Sequence, residues 1–264
     1  MARRATPRRD PKRAVGFQGE PGAYAEAAGA ILAPGLPRAG HKRFEDVFRG
    51  VRDGELLYGV VPVENTYAGP VAGQAERFWR SGTYITADLW LPVRHVLAGL
   101  PQARLPNVRR VLSHPQALAQ CAPYLAQHGL SADARSNTAS AAREVAAEGD
   151  VTRAALCSPA AAEQYGLVIL DRDVAAVPGN ETRFWLLARA SAAPATGPVR
   201  LSGVVGATHP GALSAALREL STVGAVLERV LPLPDAHVLI EARAPAPPPP
   251  ADGWSVYARR PAPP

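Results

Sequence analysis

The chain holds 264 residues, 47% hydrophobic and 20% charged, enough apolar material for one large domain or two modest ones. No apolar run reaches the roughly 20 residues that span a bilayer, and none follows the basic N-terminus, so a cytoplasmic protein is expected rather than a membrane or secreted one. Of the net charge of +6, residues 1–13 hold +5 (Arg3, Arg4, Arg8, Arg9, Lys12 and Arg13 against Asp10), which reads as a disordered basic tail. With 6% aromatic residues and no basic stripe along the body, no nucleic-acid partner is expected.

Residues 14–19 (AVGFQG) predict a strand, and Ala23 to about Ala33 an Ala-rich helix after the Glu20-Pro21-Gly22 turn. A Pro/Gly loop follows. Phe44, Val47, Phe48 and Val51, spaced by 3 and 4, share one helical face, with Gly54 as the stop. YGVVPV (58–63) predicts a buried strand ending at Glu64-Asn65, 70–81 a helix, and 83–98 one or two strands. A second cycle opens with the strand VRRVLS and a helix from His114-Pro115 to about Gln127, proline standing at its favoured first position. A short strand (131–136), a helix over 139–148 capped by Asn137 or Thr138, and a strand at 154–158 come next. Pro159 opens a short helix to Tyr165, before strands at 167–170 and 182–188. This alternation argues for α/β units with parallel sheets.

SAAPATGP (191–198) reads as a linker. Beyond it the pattern predicts a strand (199–207), a helix from Pro210-Gly211 to about Thr222, strands at 225–231 and 237–243, and a last strand at 254–260. The proline run within 244–253 cannot be helical, because proline lacks the N–H and clashes with the preceding turn.

Three places run from a strand through a tight joint into a helix start: Gln18-Gly19-Glu20-Pro21-Gly22, Ser113-His114-Pro115 and Asn137-Thr138. Free N–H groups at helix starts suit carboxylates or phosphates, though most such turns bind nothing. No dinucleotide, P-loop or zinc-ligand pattern and no Gly-x-Ser-x-Gly elbow is present, and Cys121 and Cys157 fall in apolar elements as core residues. No metal site is expected. Polar clusters at the ends of buried strands, Glu64-Asn65-Thr66 and Asn180-Glu181-Thr182-Arg183, are more informative, because α/β folds place ligands there. On the residues alone, the reading stops at a small anionic ligand in a cleft.

GFQGEPGAYAEAA, FEDVFRGVRDGELLYGVVPVENTYAG, SHPQALAQC, NTASAA, CSPAAAEQYGLVIL and NETRF, in this order over residues 15–188, resemble the words of the prephenate dehydratase family. The resemblance implies an α/β fold: a two-lobed, type II periplasmic-binding-protein-like domain followed by a truncated C-terminal ferredoxin-like (ACT) α+β domain. It divides the chain into a tail (1–13), a catalytic domain at 14–190 (lobe 1 from 14–90 and 176–190, lobe 2 from 91–175), the linker, and the ACT-like segment 199–264. It implies a carbon–oxygen lyase that needs no cofactor and converts prephenate to phenylpyruvate in phenylalanine biosynthesis. The same chemistry on arogenate, and a non-enzymatic small-carboxylate sensor, are the alternatives.

Carried over residue by residue, the resemblance places Thr182, Glu64, Asn65 and Gln120 in the catalytic set. Arg183, Ser113, Thr138, Phe184, Tyr24 and Thr66 are the substrate-binding candidates. Glu64 and Gln120 are expected across one cleft, from different lobes. Ala25 stands where the family has serine, and Asn137 where it has aspartate. Gly211, Ala212 and Leu213 form the effector loop, with phenylalanine as the effector and a homodimer or homotetramer as the assembly. The partner segment, Leu231-Pro232-Leu233-Pro234, offers no carboxylate, hydroxyl or guanidinium, so weakened feedback is expected.

Overall fold

Tyr24–Leu32 (α1) follows Val15–Gln18 (β1), and the chain returns through Arg38–His41 (β2), which pairs parallel to β1. The sequence reading missed β2. RAGH has no apolar alternation, and the strand exists because its backbone pairs residue for residue with Val15–Gln18. In the computed structural model, residues 13–260 are described, except 173, 176–177, 192–193, 195, 207–209 and 249–253. The basic tail, Arg13 apart, and part of the linker and of the proline run lie outside the described residues.

Phe44–Arg52 (α2) buries Val47, Phe48 and Val51 as its spacing predicts. It covers Tyr58–Asn65 (β3), whose near-continuous apolar run fits a strand covered on both faces. Gly69–Pro70 (β4), Gln74–Ser81 (α3) and Tyr84–Pro92 (β5) follow, so the predicted helix begins four residues late. The chain then crosses to the second lobe: Val96–Gly99 (β6), Arg110–Ser113 (β7), Pro115–Gln120 (α4), Ala122–Gln127 (α5) and Ser131–Ala134 (β8). Thr138–Glu148 (α6), Arg153–Cys157 (β9), Pro159–Gln164 (α7) and Val168–Asp171 (β10) complete it. The single helix expected from 114 to 127 is broken at Cys121, because Pro123 cannot donate within the ladder.

The chain returns as Glu181–Ala188 (β11), which inserts between β3 and β5, antiparallel to both. In the second lobe, β7 pairs parallel with β8 and β9, whereas β6 pairs antiparallel with β9 and β10. Both sheets are therefore mixed rather than parallel, because the strands flanking the lobe crossings run back against the βα units. Helices cover both faces of the second sheet, and Cys121 and Cys157 are buried in its two cores. Burial pushes both thiols up to about 12.

The C-terminal unit runs Val199–Gly206 (β12), Pro210–Thr222 (α8), Val226–Leu233 (β13), His237–Ala244 (β14) and Trp254–Arg259 (β15). No second helix occurs among its described residues. Its antiparallel strands do not stand apart from the first lobe. β15 pairs with β12 and also, through Ala258 and Arg259, parallel with Ala87 and Asp88 of β5, making one ten-stranded sheet.

Candidate active site

A cleft of about 370 Å³ lies between the lobes. All three strand-to-helix joints singled out above open on it, contributing Gln18, Gly19 and Tyr24, then His114, Gln116 and Gln120, then Asn137 and Thr138. The ends of the buried strands supply the opposite wall: Asn65 from β3, and Thr182 and Phe184 from β11, with Asn180 just ahead of them.

The Asn65 carboxamide organises this wall. Its oxygen accepts from the backbone N–H groups of Tyr67 and Ala68, both at 3.1 Å, an Asx-type turn that fixes the side chain. The two N–H groups of its Nδ2 are shared among three acceptors: Asn180 Oδ1 (2.8 Å), the Glu181 carbonyl (2.9 Å) and Thr182 Oγ1 (3.1 Å). Because Thr182 accepts from Asn65, its own O–H proton is left to point at a ligand. Asn180 Nδ2 in turn donates to Gln120 Oε1 at 3.0 Å, and Gln116 Nε2 lies 3.4 Å from Asn65 Oδ1. One hydrogen-bonded chain, Thr182–Asn65–Asn180–Gln120, thus crosses from the first lobe to the second.

Two further contacts hold the lobes together beside the cleft. Glu20 pairs with Arg143 of α6 at 2.5 Å, and Ser158 Oγ donates to the Gly22 carbonyl at 2.7 Å. Gly22 has φ +88°, and a Cβ there would stand 2.5 Å from the Ala161 Cα, so this joint requires glycine. His95, on the crossing between β5 and β6, is buried in the cleft wall with Nδ1 unpartnered and the Tyr24 ring edge-on at 5.8 Å. Burial pushes its imidazole down to about 4, against a hydrogen bond to Gln120, so it is neutral at physiological pH. Tyr24 donates its hydroxyl to the Arg94 carbonyl at 2.7 Å.

Several expected residues lie elsewhere. Side chains alternate along a strand, so the neighbours of Asn65 and Thr182 face the other side of the sheet. Glu64 is a correction: it is ion-paired with Arg229 of β13 and stands 3.9 Å from Arg183, and it does not lie across the cleft from Gln120. Asn65 occupies that place, reaching Gln120 through Asn180. Arg183 is 2% exposed on the same rear face, bonded to Asp88 (2.7 Å) and Glu241 (2.8 Å) rather than open to a substrate. Burial opposes its charge, but Tyr257, Glu241 and Asp88 more than offset this and raise its pKa. Ser113 is spent inside the second sheet, donating to the Leu156 carbonyl at 2.7 Å. Thr66 bonds Gly179 and Glu181 at the return crossing.

Sequence reading left Asn180, Gln116, His114 and His95 out of the site set. Asn180 opens the NETRF word, and His95 is a polar residue flanked by apolar strands at a lobe crossing, so both carried a legible signal. In the C-terminal unit, Gly211, Ala212 and Leu213 form the first turn of α8, with Gly211 exposed and Leu213 packed into that unit's core. Among the described residues no group of three metal-ligating side chains occurs, and no helix is long and apolar enough to cross a membrane.

A family model described as prephenate dehydratase matches residues 15–192. Over 187 residues the chain is 35% identical to arogenate dehydratase/prephenate dehydratase 1, chloroplastic, of Arabidopsis thaliana, covering 71% of this chain and 48% of that protein. It is 33% identical over 222 residues to a bifunctional N-acyl-homoserine lactone acylase/prephenate dehydratase of Komagataeibacter europaeus, covering 83% and 79%. The solved structure of prephenate dehydratase in complex with L-Phe from Arthrobacter aurescens matches with TM-score 0.75 and 28% identity, over 88% of this chain and 80% of that one. The molecule therefore has the two-lobed, periplasmic-binding-protein-like α/β fold of such dehydratases. The chain belongs to the prephenate dehydratase family. It spans about half the length of the plant relatives it matches.

Proposed function

We propose that this protein is a prephenate dehydratase acting in phenylalanine biosynthesis, with the interlobe cleft as its active site. The observation that carries the reading is Thr182 Oγ1 held by Asn65 Nδ2 at 3.1 Å, with its proton free for a ligand. In the reaction, the ring C–O bond breaks and the bond to the ring carboxylate breaks with it. The electron pair of the carboxylate bond aromatises the ring, CO2 leaves, and the departing hydroxide takes a solvent-derived proton to become water. Hydroxide is a poor leaving group, and a hydrogen bond from Thr182 to that oxygen strengthens as charge develops on it. A threonine is too weak an acid to give its proton away outright, so its part is to hold the leaving oxygen by a hydrogen bond.

The ring carboxylate must be lost, so the side-chain carboxylate is the better anchor. The starts of α1 and α6, with the backbone N–H groups of their first turns and the Thr138 hydroxyl, suit it, whereas the Tyr24 hydroxyl is already given to Arg94. Gln116 and Gln120 bring the second lobe onto the substrate, and closure excludes water from the polar chain. The reading needs neither a cofactor nor a covalent intermediate, and positioning supplies most of the rate.

Relatives named arogenate dehydratase make arogenate, in which an ammonium replaces the side-chain keto group, the second substrate to assay. Incubating the full chain with each compound and measuring phenylpyruvate and phenylalanine tests the reading. Phenylpyruvate from prephenate, abolished in Thr182→Ala, supports it. No turnover of either compound overturns it.

A further inference from the structure

We propose that Arg229, carried by the C-terminal unit, is a positioning residue for the cleft: by holding Glu64 behind the sheet, it holds Asn65 and Thr182 in front of it. The inference rests on the dehydratase reading for its activity readout.

Thr182 stands in register with Asn65, and Arg183 with Glu64, on neighbouring antiparallel strands. The first pair faces the cleft and the second pair faces the C-terminal unit, so each cleft residue shares a peptide bond with a rear residue. The rear face is ionic and largely dry. Arg183 lies 2.7 Å from Asp88 and 2.8 Å from Glu241, and both carboxylates are almost fully buried. Glu64 is 3.9 Å from the same guanidinium. Asp88 also meets Arg259 at 3.1 Å and Arg200 at 3.6 Å. Among the described residues, however, Glu64 and Glu241 have only Arg183 and Arg229, so without Arg229 one buried arginine would have to satisfy both. Arg229 relieves this by pairing with Glu64 directly and standing 3.8 Å from Glu241.

The strand pair has local freedom at this point, since the β3–β11 register shifts between Arg183 and Phe184. A Glu64 released from Arg229 must rehydrate or crowd Arg183, and either movement tilts the peptide that begins Asn65. The hydrogen bond from Asn65 to Thr182 is then no longer held at the geometry the leaving oxygen needs. Substrate affinity, which depends on the helix starts and the second lobe, is affected far less.

The experiment uses the full chain and three variants, Arg229→Ala, Arg229→Lys and Arg80→Ala, each checked by thermal melting. Arg80 makes an exposed 3.4 Å contact with Asp235 of the C-terminal unit and serves as the control for general loosening of that interface. The expected result is a kcat lowered about tenfold in Arg229→Ala with KM within about twofold, recovery of most of the rate in Arg229→Lys, and wild-type rates in Arg80→Ala. Hydrogen exchange, which needs no substrate, should quicken in Arg229→Ala at residues 61–66 and 181–186 and stay unchanged across 138–157. Wild-type kcat together with unchanged exchange in Arg229→Ala overturns the inference. If the wild-type chain turns over neither substrate, the dehydratase reading fails, and exchange at those two strands alone decides this one: quickened exchange upholds it and unchanged exchange overturns it.

Discussion

Asn65 and Thr182 stand opposite each other on antiparallel strands, joined by a 3.1 Å hydrogen bond from Nδ2 to Oγ1. The acceptor side of the threonine hydroxyl is thereby occupied, and the donor side faces the cleft. Removing the hydroxyl in Thr182→Ala should lower kcat by about 10²–10³-fold, the range for losing a hydrogen-bond donor to a developing oxyanion. Thr182→Ser keeps the hydroxyl and should retain most of the rate. Steady-state kinetics on folded variants checks both.

Gln120 reaches Asn65 only through Asn180, by contacts of 3.0 and 2.8 Å. Asn180→Ala therefore cuts the Gln120 route between the lobes, leaving only the longer 3.4 Å contact from Gln116 to Asn65, and strands buried polar groups at about 1–3 kcal/mol for each unsatisfied one. The expected outcome is a loss of kcat/KM in Asn180→Ala that Gln120→Ala does not deepen additively. A double-mutant cycle on kcat/KM measures this coupling.

Arg183 faces the rear ionic cluster, so its loss should act on stability before binding. Arg183→Ala removes the cation that Asp88 and Glu241 share. Asp88 keeps Arg259 at 3.1 Å and Glu241 keeps Arg229 only at 3.8 Å. The loss therefore falls chiefly on Glu241 and lies at the lower end of the about 3–5 kcal/mol for breaking a buried pair. Urea unfolding should report that drop. A KM raised by orders of magnitude at unchanged stability would instead place Arg183 at the substrate.

The buried His95 makes a pH prediction. Its folded pKa of about 4 lies below the ordinary 6.5, so the folded state binds fewer protons between these values. The stability this represents is fully present above about pH 6.5 and is lost as pH falls toward 4, by up to about 1.4 kcal/mol per pH unit. His114, lowered by burial as well, acts in the same direction. Thermal melts from pH 7 to 4.5 should fall less steeply for His95→Asn than for wild type.

The C-terminal unit bears on control by phenylalanine. Leu231 and Leu233 of β13 pack toward the first lobe, while Pro232 is exposed and has no N–H to offer a zwitterion. Calorimetry should find phenylalanine binding absent or far weaker than micromolar. Micromolar binding coupled to inhibition would contradict this.

Much of the architecture was legible in the chain. Apolar spacing located α2, the VVPV core of β3 and FWLLA of β11, and the prolines at 115 and 159 marked helix starts. β2 escaped, because RAGH is a strand by pairing and not by pattern. Glu64 and Arg183 were misplaced for a different reason. Family words group adjacent residues, whereas a strand sends neighbours to opposite faces, and that alternation alone would have separated Glu64 from Asn65. The Asn65–Asn180–Gln120 chain joins residues 115 and 60 positions apart, a partnership no local pattern encodes. Nor does local pattern show that β15 stitches the C-terminal sheet onto β5.

The most direct measurement of the central claim is the rate of phenylpyruvate formation from prephenate by the purified chain and by Thr182→Ala, with folding of both verified by circular dichroism. Rapid formation by wild type and a loss of at least about a hundredfold in the variant is the expected result. A folded Thr182→Ala protein that turns prephenate over at the wild-type rate would contradict it.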